Sequence, residues 1–411
     1  MAPAMDHAQW SAALGSEPLP CMAVDLDAFD RNVAAVAKFL QPHDAGPDPI
    51  AAMPVKTIRV ATKSLRVPEL IKRVLRHGSP YWGLMCYSTA EAAFLAQQEL
   101  DDFLIAYPTV QASDLEVLKR LHFGGKLVRI VVDCIEHLRV IDQAMSGCPH
   151  PFPVVIEVDA ALPVFDRRLG VRRSPVRTTT DLVALIRAAK VFSNVQVDGL
   201  MVYEAQVAGL PDRNPFRPWL NPIHELVRRF SMRRLWKFRQ ELSSAFVAEG
   251  LALEIFNGGG TGSLNYAAQE PWLTELTAGS AFFSPHLFDY YSNVRFEPAA
   301  CFALQASRIS DPGYVTCLGG GYVASGSPGW DRVPKPYIPA GAKLLGDEGG
   351  GEVQTPVKLP PLAPVKLGDF VLFRHAKAGE LAERFNECLL VQGGKIVERV
   401  RTYRGHGECY F

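Results

Sequence analysis

The chain carries no charge excess: across 411 residues, 43 Lys and Arg balance 43 Asp and Glu. A nucleic-acid binder that neutralises phosphates carries a basic surplus, so that class is excluded. No run of about 18 apolar residues occurs, and no membrane span is expected. The start, Met1-Ala2-Pro3-Ala4-Met5-Asp6-His7, has neither the basic stretch nor the apolar core of a secretory signal, so a cytoplasmic protein is expected. The 8 cysteines (Cys21, Cys86, Cys134, Cys148, Cys301, Cys317, Cys388, Cys409) form no Cys-x-x-Cys pair. That spacing argues against a disulfide framework or structural zinc and for buried free thiols. What the chain does have is apolar content, 48% of its residues, enough at this length for a large core and two domains.

From about residue 20 to 290, strand-like runs alternate with helical stripes. Met22-Ala23-Val24-Asp25 reads as a first strand, and Phe29, Val33, Val36, Ala37 and Leu40 then recur at helical spacing. Ile58 to Lys63, Tyr81 to Cys86, Phe103 to Ala106, Leu127 to Val132, Val154 to Val158, Val195 to Val202 and Leu251 to Phe256 read as further strands. Ser88-Thr89-Ala90-Glu91 reads as a capping box. Strands alternating with amphipathic helices indicate parallel βαβ units, and about eight of them fit an α/β fold closed as a (β/α)8 (TIM) barrel. After Phe296 the segments shorten between Gly- and Pro-rich turns, and Gln392-Gly393-Gly394-Lys395 reads as a hairpin. Gly346–Gly351 and Pro356–Pro364 read as loops. The expected organisation is a 1–20 segment supplying a strand to a mostly β C-terminal domain, a 21–295 barrel, and that domain at 296–411.

Lys63 closes a β-branched run, and a helix comes directly after it. A lysine at the C-terminal end of a barrel strand reaches the mouth where βα loops build active sites. Partly desolvated there, its amine can lose a proton and attack a carbonyl. The run Asn257-Gly258-Gly259-Gly260-Thr261-Gly262-Ser263 comes after another strand, and glycine N–H groups can converge on phosphate oxygens. Without a Gly-Lys-Ser/Thr signature it is not a nucleoside triphosphate loop of that type. An amine nucleophile with a phosphate cradle points to pyridoxal phosphate (PLP), a phosphorylated aldehyde.

Three further stretches carry a family resemblance. Val155-Ile156-Glu157-Val158-Asp159 with Arg167-Arg168-Leu169-Gly170-Val171 after it resembles a signature of the alanine-racemase-type barrels, the fold-type III PLP enzymes, although Ala160-Ala161 replaces their usual Thr-Gly. Gly199 to Gln206, with Tyr203 at a strand end, and Glu275-Leu276-Thr277-Ala278-Gly279-Ser280 match two more. The resemblance implies Lys63 as the lysine bonded to the cofactor and Arg168 near its phenolic oxygen. It places Tyr203 beside the pyridine ring, Gln206 on cofactor or substrate, and Gly259, Gly260, Thr261, Gly279 and Ser280 around the phosphate.

The closest branch by resemblance is the D-threonine aldolase and D-serine dehydratase group, from Val365-Lys366-Leu367-Gly368-Asp369 leading into His375. That branch carries His-x-Cys or His-x-Asp there and binds a divalent metal, whereas this chain has His375-Ala376-Lys377. A protonated ammonium cannot ligate a metal but can supply positive charge. The expectation is a metal site lost, or rebuilt on His375 with Glu380 or His406, and catalytic roles for Lys63, His375 and Lys377. The resemblance implies a lyase acting on β-hydroxy D-amino acids, foremost an aldolase, with a small amino acid as its only partner besides a second copy in a homodimer. A dehydratase, a racemase, a non-catalytic PLP-binding protein, and a barrel using Lys63 without PLP are the alternatives.

Overall fold

Short aliphatic runs buried on both faces are what a parallel sheet requires, and eight of them close here into a barrel. The computed structural model describes residues 5–41, 56–164, 167–363 and 365–410. The first strand, β1 (Cys21–Asp25), stands outside the barrel. The barrel runs through β2 (Thr57–Ala61), β3 (Tyr81–Cys86), β4 (Phe103–Ile105), β5 (Val128–Val132) and β6 (Phe152–Glu157). A small hairpin, β7 (Leu162–Val164) with β8 (Arg167–Leu169), interrupts it before β9 (Val195–Met201), β10 (Ile255–Gly258) and β11 (Glu275–Ala278). All neighbouring strands are parallel, and β11 closes on β2 with Ala278 opposite Val60.

The starts of these strands are tied by charge. Arg59, 2% exposed, donates to Glu275 at 2.9 Å and to Asp102 at 3.0 Å. Gly83, at φ +73°, leaves room for it, since a Cβ there would overlap the guanidinium. Arg129 pairs with Asp198 beside the same network. With one end of the barrel filled this way, the open mouth lies at the strand C-termini, where Lys63 comes after β2 and Tyr203 after β9.

The second sheet takes β12 (Ala300–Asp311), β13 (Tyr314–Leu318), β14 (Lys335–Ile338), β15 (Lys343–Leu344), β16 (Gln354–Lys358), β17 (Phe370–Arg374), β18 (Glu387–Gln392) and β19 (Lys395–Arg401). Its order is β15-β16-β13-β12-β1-β18-β19, with β17 on β12 and β14 on β17. Three expectations shift. Met22–Asp25, read as the first barrel strand, sits in this sheet, antiparallel to β12 and parallel to β18. An apolar run of this length fits either sheet, and pattern alone does not choose. The connecting strand is therefore not drawn from the first 20 residues, where His7–Leu14 is a helix. Pro356 lies in β16 rather than a loop, opposite Thr316; Pro364 lies outside the described residues. No helix among the described residues is long and apolar enough to cross a membrane.

Ser88 caps its helix as expected, accepting from the Glu91 N–H at 3.1 Å. Glu91 turns elsewhere: fully buried, it accepts from the Tyr87 N–H at 2.8 Å and the Tyr403 hydroxyl at 2.9 Å, linking barrel to C-terminus. Burial pushes its carboxyl up to about 7, with Thr62, Tyr87, Tyr403 and Arg66 opposing. Between about pH 4.5 and 7 the unfolded chain loses this proton while the folded chain keeps it, so stability falls as pH rises through that window. Glu91→Gln removes a penalty on the order of 3 kcal/mol at pH 8 and little at pH 5. Thermal melts should show the variant gaining on wild type as pH rises; a constant offset would exclude this role.

Candidate active site

The mouth of the barrel and the second sheet enclose a cavity of about 430 Å³. Lys63 reaches it from the turn after β2, and its Nζ donates to the Tyr107 hydroxyl at 3.2 Å. Arg173 lies over the rings of Tyr107 and Tyr203, 5.5 Å from each centroid. Burial raises the Tyr107 phenol, but the charges of Lys63 and Arg173 outweigh it and hold the group below its ordinary value. Tyr203, buried, moves the other way, up to about 12, chiefly through burial. Glu157, at the end of β6, is raised to about 7 by burial against the opposing charge of Arg173, which lies 3.7 Å away.

Gly259, Gly260, Thr261, Gly279 and Ser280 all line the cavity. Their loop is braced from behind by Glu204, which accepts from the Ser263 hydroxyl at 2.6 Å and the Gly259 N–H at 3.2 Å. The Gly260 N–H donates to Ser263 at 3.1 Å. Two of the glycine N–H groups are therefore engaged inside the loop, and Thr261, Gly279 and Ser280 are left to present donors. Space is tight: a Cβ on Gly279 would come within 2.7 Å of the Ser64 side chain and 2.8 Å of Ala61. Gly279→Ala is expected to weaken binding of pyridoxal phosphate about tenfold or more while leaving the fold intact. An absorbance titration reads this, and unchanged affinity would move the cradle elsewhere.

Several expected residues are placed differently. Arg168 points out of the cavity, held by Asp159 at 2.8 Å, because the β7–β8 hairpin turns it aside; Arg173, five positions on, occupies the cavity instead. Gln206 stands behind the wall and donates to the Ala160 carbonyl at 2.7 Å. His375, 3% exposed, is absent from the cavity lining and donates through Nε2 to the Ala378 carbonyl at 2.7 Å. Burial holds its imidazole down to about 3, so it is neutral. The bond fixes a tight turn, with Ala378 at φ +45°, that carries Lys377 into the cavity. Gly379 in this turn lies directly against the Lys63 backbone, where a Cβ would come within 2.8 Å of the Lys63 carbonyl.

His375 belongs to no group of three metal-competent side chains among the described residues. Among the described residues the only trio of metal-competent side chains within reach of one another is Asp133, Cys134 and His137. Glu380 is engaged by Ser325 at 2.5 Å, and the His406 ring packs on Phe94. Sequence reasoning missed Tyr107, Arg173 and Arg332, which all line the cavity.

The closed parallel barrel with a mostly β C-terminal sheet is the fold of alanine-racemase-type proteins. Alanine racemase from Clostridium difficile 630 superposes at TM-score 0.63 with 13% identity over 94% of this chain and 99% of that one. Nearer in shape are D-threonine aldolase from Filomicrobium marinum, at TM-score 0.78 and 21% identity over 96% and 97% of the two chains, and D-threo-3-hydroxyaspartate dehydratase from Delftia sp. HT23, at 0.73 and 16% over 95% and 98%. In sequence the chain is similar to D-threonine aldolase of Arthrobacter sp., 26% identical, and to 3-hydroxy-D-aspartate aldolase of Paracoccus denitrificans (strain Pd 1222), 24% identical, each over 264 residues. Those matches cover 64% of this chain and 60% of the relatives' length. No family model matches the chain.

Proposed function

We propose that this chain is a PLP-dependent lyase that cleaves β-hydroxy D-amino acids between Cα and Cβ. The observation that carries the reading is one cavity holding Lys63 together with Thr261, Gly279 and Ser280, an amine and a phosphate cradle on the mouth of this barrel. Lys63 would bond the cofactor's aldehyde carbon, and the cradle would hold its phosphate. Tyr203 would flank the ring, with Arg173 above Tyr107 and Tyr203 supplying positive charge. When bound, the cofactor supplies an electron sink for the pair released at Cα. Tyr107 exchanges a proton with Lys63 Nζ across their hydrogen bond, which frees the amine. Phe288 and Tyr291 line the cavity beside the turn that seats Gly379 against Lys63, and together they limit water.

The cleavage takes a proton from the β-hydroxyl, breaks Cα–Cβ, releases an aldehyde and returns a proton to Cα as glycine. A dehydratase reading is supported by the shape match to the Delftia enzyme. The purified protein with pyridoxal phosphate should absorb in the visible range and release acetaldehyde and glycine from D-threonine. Ammonia with a keto acid instead would favour dehydration, and a colourless protein that the cofactor cannot reconstitute would overturn the assignment.

We further propose a cytoplasmic homodimer, each copy a barrel that runs to about residue 295 with a β domain of 296–411 that also takes in β1. Eight cysteines with no Cys-x-x-Cys pair suit a reducing compartment. Trp219, Ile223, Leu226 and Phe230 leave an exposed apolar stripe at helical spacing along Asn221–Ala248 and its lead-in turn, of the kind a second copy covers.

A further inference from the structure

The cavity has two sides of different chemistry. On the barrel side, the phosphate cradle is made of glycines and hydroxyls with no cation of its own. On the side of the second sheet stand Arg332 and Lys377, both lining the same cavity. Arg332 closes the turn Trp330–Arg332 ahead of β14, and its side chain is 21% exposed. Its Nε and Nη1 are buried without a hydrogen-bond partner, and its nearest carboxylate, Asp331, lies at 3.7 Å. A buried guanidinium N–H without an acceptor costs free energy comparable to a lost charged hydrogen bond, and such groups persist where something else satisfies them. Lys377 is steered from below: its Nζ donates to the Ser325 hydroxyl at 3.0 Å, and Ser325 is in turn held by Glu380. Lys377, Arg332 and Lys63 line the same cavity, so the ammonium shares it with the guanidinium and the reacting amine. Among the described residues Glu380, at 4.0 Å, is the only carboxylate paired with it.

We propose that Arg332 and Lys377 form a carboxylate-binding subsite that orients the substrate against Lys63. The inference rests on the lyase reading and deepens it. Nε and Nη1 stand on opposite edges of the guanidinium, so either one together with Nη2 offers a carboxylate a bidentate fork, and a nearby ammonium adds charge without competing for that geometry. The bound group is either the α-carboxylate, common to every amino acid, or a second carboxylate on the substrate's side chain. Both residues come from turns of the C-terminal part of the chain and not from the barrel loops that form the cradle, so cofactor affinity and substrate affinity should separate.

The test uses the full chain loaded with pyridoxal phosphate, as wild type, Arg332→Gln, Arg332→Lys and Lys377→Met. The variants should raise KM about tenfold to a hundredfold with a smaller change in kcat, and the cofactor's dissociation constant should stay within about twofold. Equal losses on D-threonine and 3-hydroxy-D-aspartate identify the α-carboxylate. A loss on the diacid alone identifies the side-chain carboxylate. Arg332→Lys should fall between, since it keeps charge and loses the fork. Succinate supplies a reading that needs no turnover: it should raise the melting temperature of wild type and not of Arg332→Gln. If wild type turns over neither amino acid, the lyase reading fails while the succinate shift still reports on the subsite. Unchanged KM with weaker cofactor binding would assign Arg332 to the phosphate and overturn the proposal, as would a wild type indifferent to succinate.

Discussion

Lys63→Ala should lose turnover by a factor on the order of 10⁴ or more while remaining folded. The side chain is only half-buried and makes one hydrogen bond, to Tyr107. The cradle of Thr261, Gly279 and Ser280 stays in place, so the variant should still bind pyridoxal phosphate, more weakly and without a covalent bond. Borohydride should fix the cofactor to wild type and not to the variant, which peptide mass analysis reads directly. The loss also removes the nearest cation from Tyr107, one of the two charges that hold its phenol down, so the tyrosine should titrate higher in the variant. A variant that keeps a tenth of wild-type turnover would end the role of Lys63 as nucleophile.

Lys63 was legible because a barrel imposes a rule that sequence can apply: residues just past the C-terminal end of a strand lie at the mouth. The rule held for Tyr203, Thr261 and Gly279, each just beyond a parallel strand. It applies equally to Tyr107, two residues past β4, but no motif drew attention there. Arg173 was hidden for a different reason. The Arg-Leu-Gly-Val match fell on Arg168, yet the β7–β8 hairpin turns that side chain to Asp159 and lets the next arginine but one, past Arg172, enter the cavity. A hairpin of this size, three residues a strand, leaves little periodicity to read. His375 and Lys377 were paired by the family resemblance, whereas the structure separates their tasks: one holds the turn, the other enters the cavity. Arg332 comes from a turn of the second sheet, and only tertiary packing brings it to the barrel mouth. The same limit misplaced Met22–Asp25, since its apolar pattern satisfies either sheet.

Arg239→Met should lower stability by about 3–5 kcal/mol, the cost of leaving buried carboxylates unpaired. Arg239 is fully buried in the helix Asn221–Ala248 and pairs with Glu204 and Glu270, both also fully buried. It also donates to the Val202 carbonyl at 2.6 Å, at the end of the strand that delivers Tyr203. Without the guanidinium, Glu204 must either stay ionised in an apolar surrounding or take up a proton. A protonated Glu204 can no longer accept from both Ser263 and the Gly259 N–H as a carboxylate does, so the glycine loop should loosen with the core. The melting temperature should therefore fall by about 5 °C, and cofactor affinity should fall with it. A triple replacement of Arg239, Glu204 and Glu270 by apolar residues should recover stability, because no charge is then left alone, but not cofactor affinity, because the brace behind Gly259 is gone. If Arg239→Met loses less than about 1 kcal/mol in urea titration, the triad is not what anchors this wall. If stability falls while cofactor affinity holds, Glu204 supports the core and not the loop.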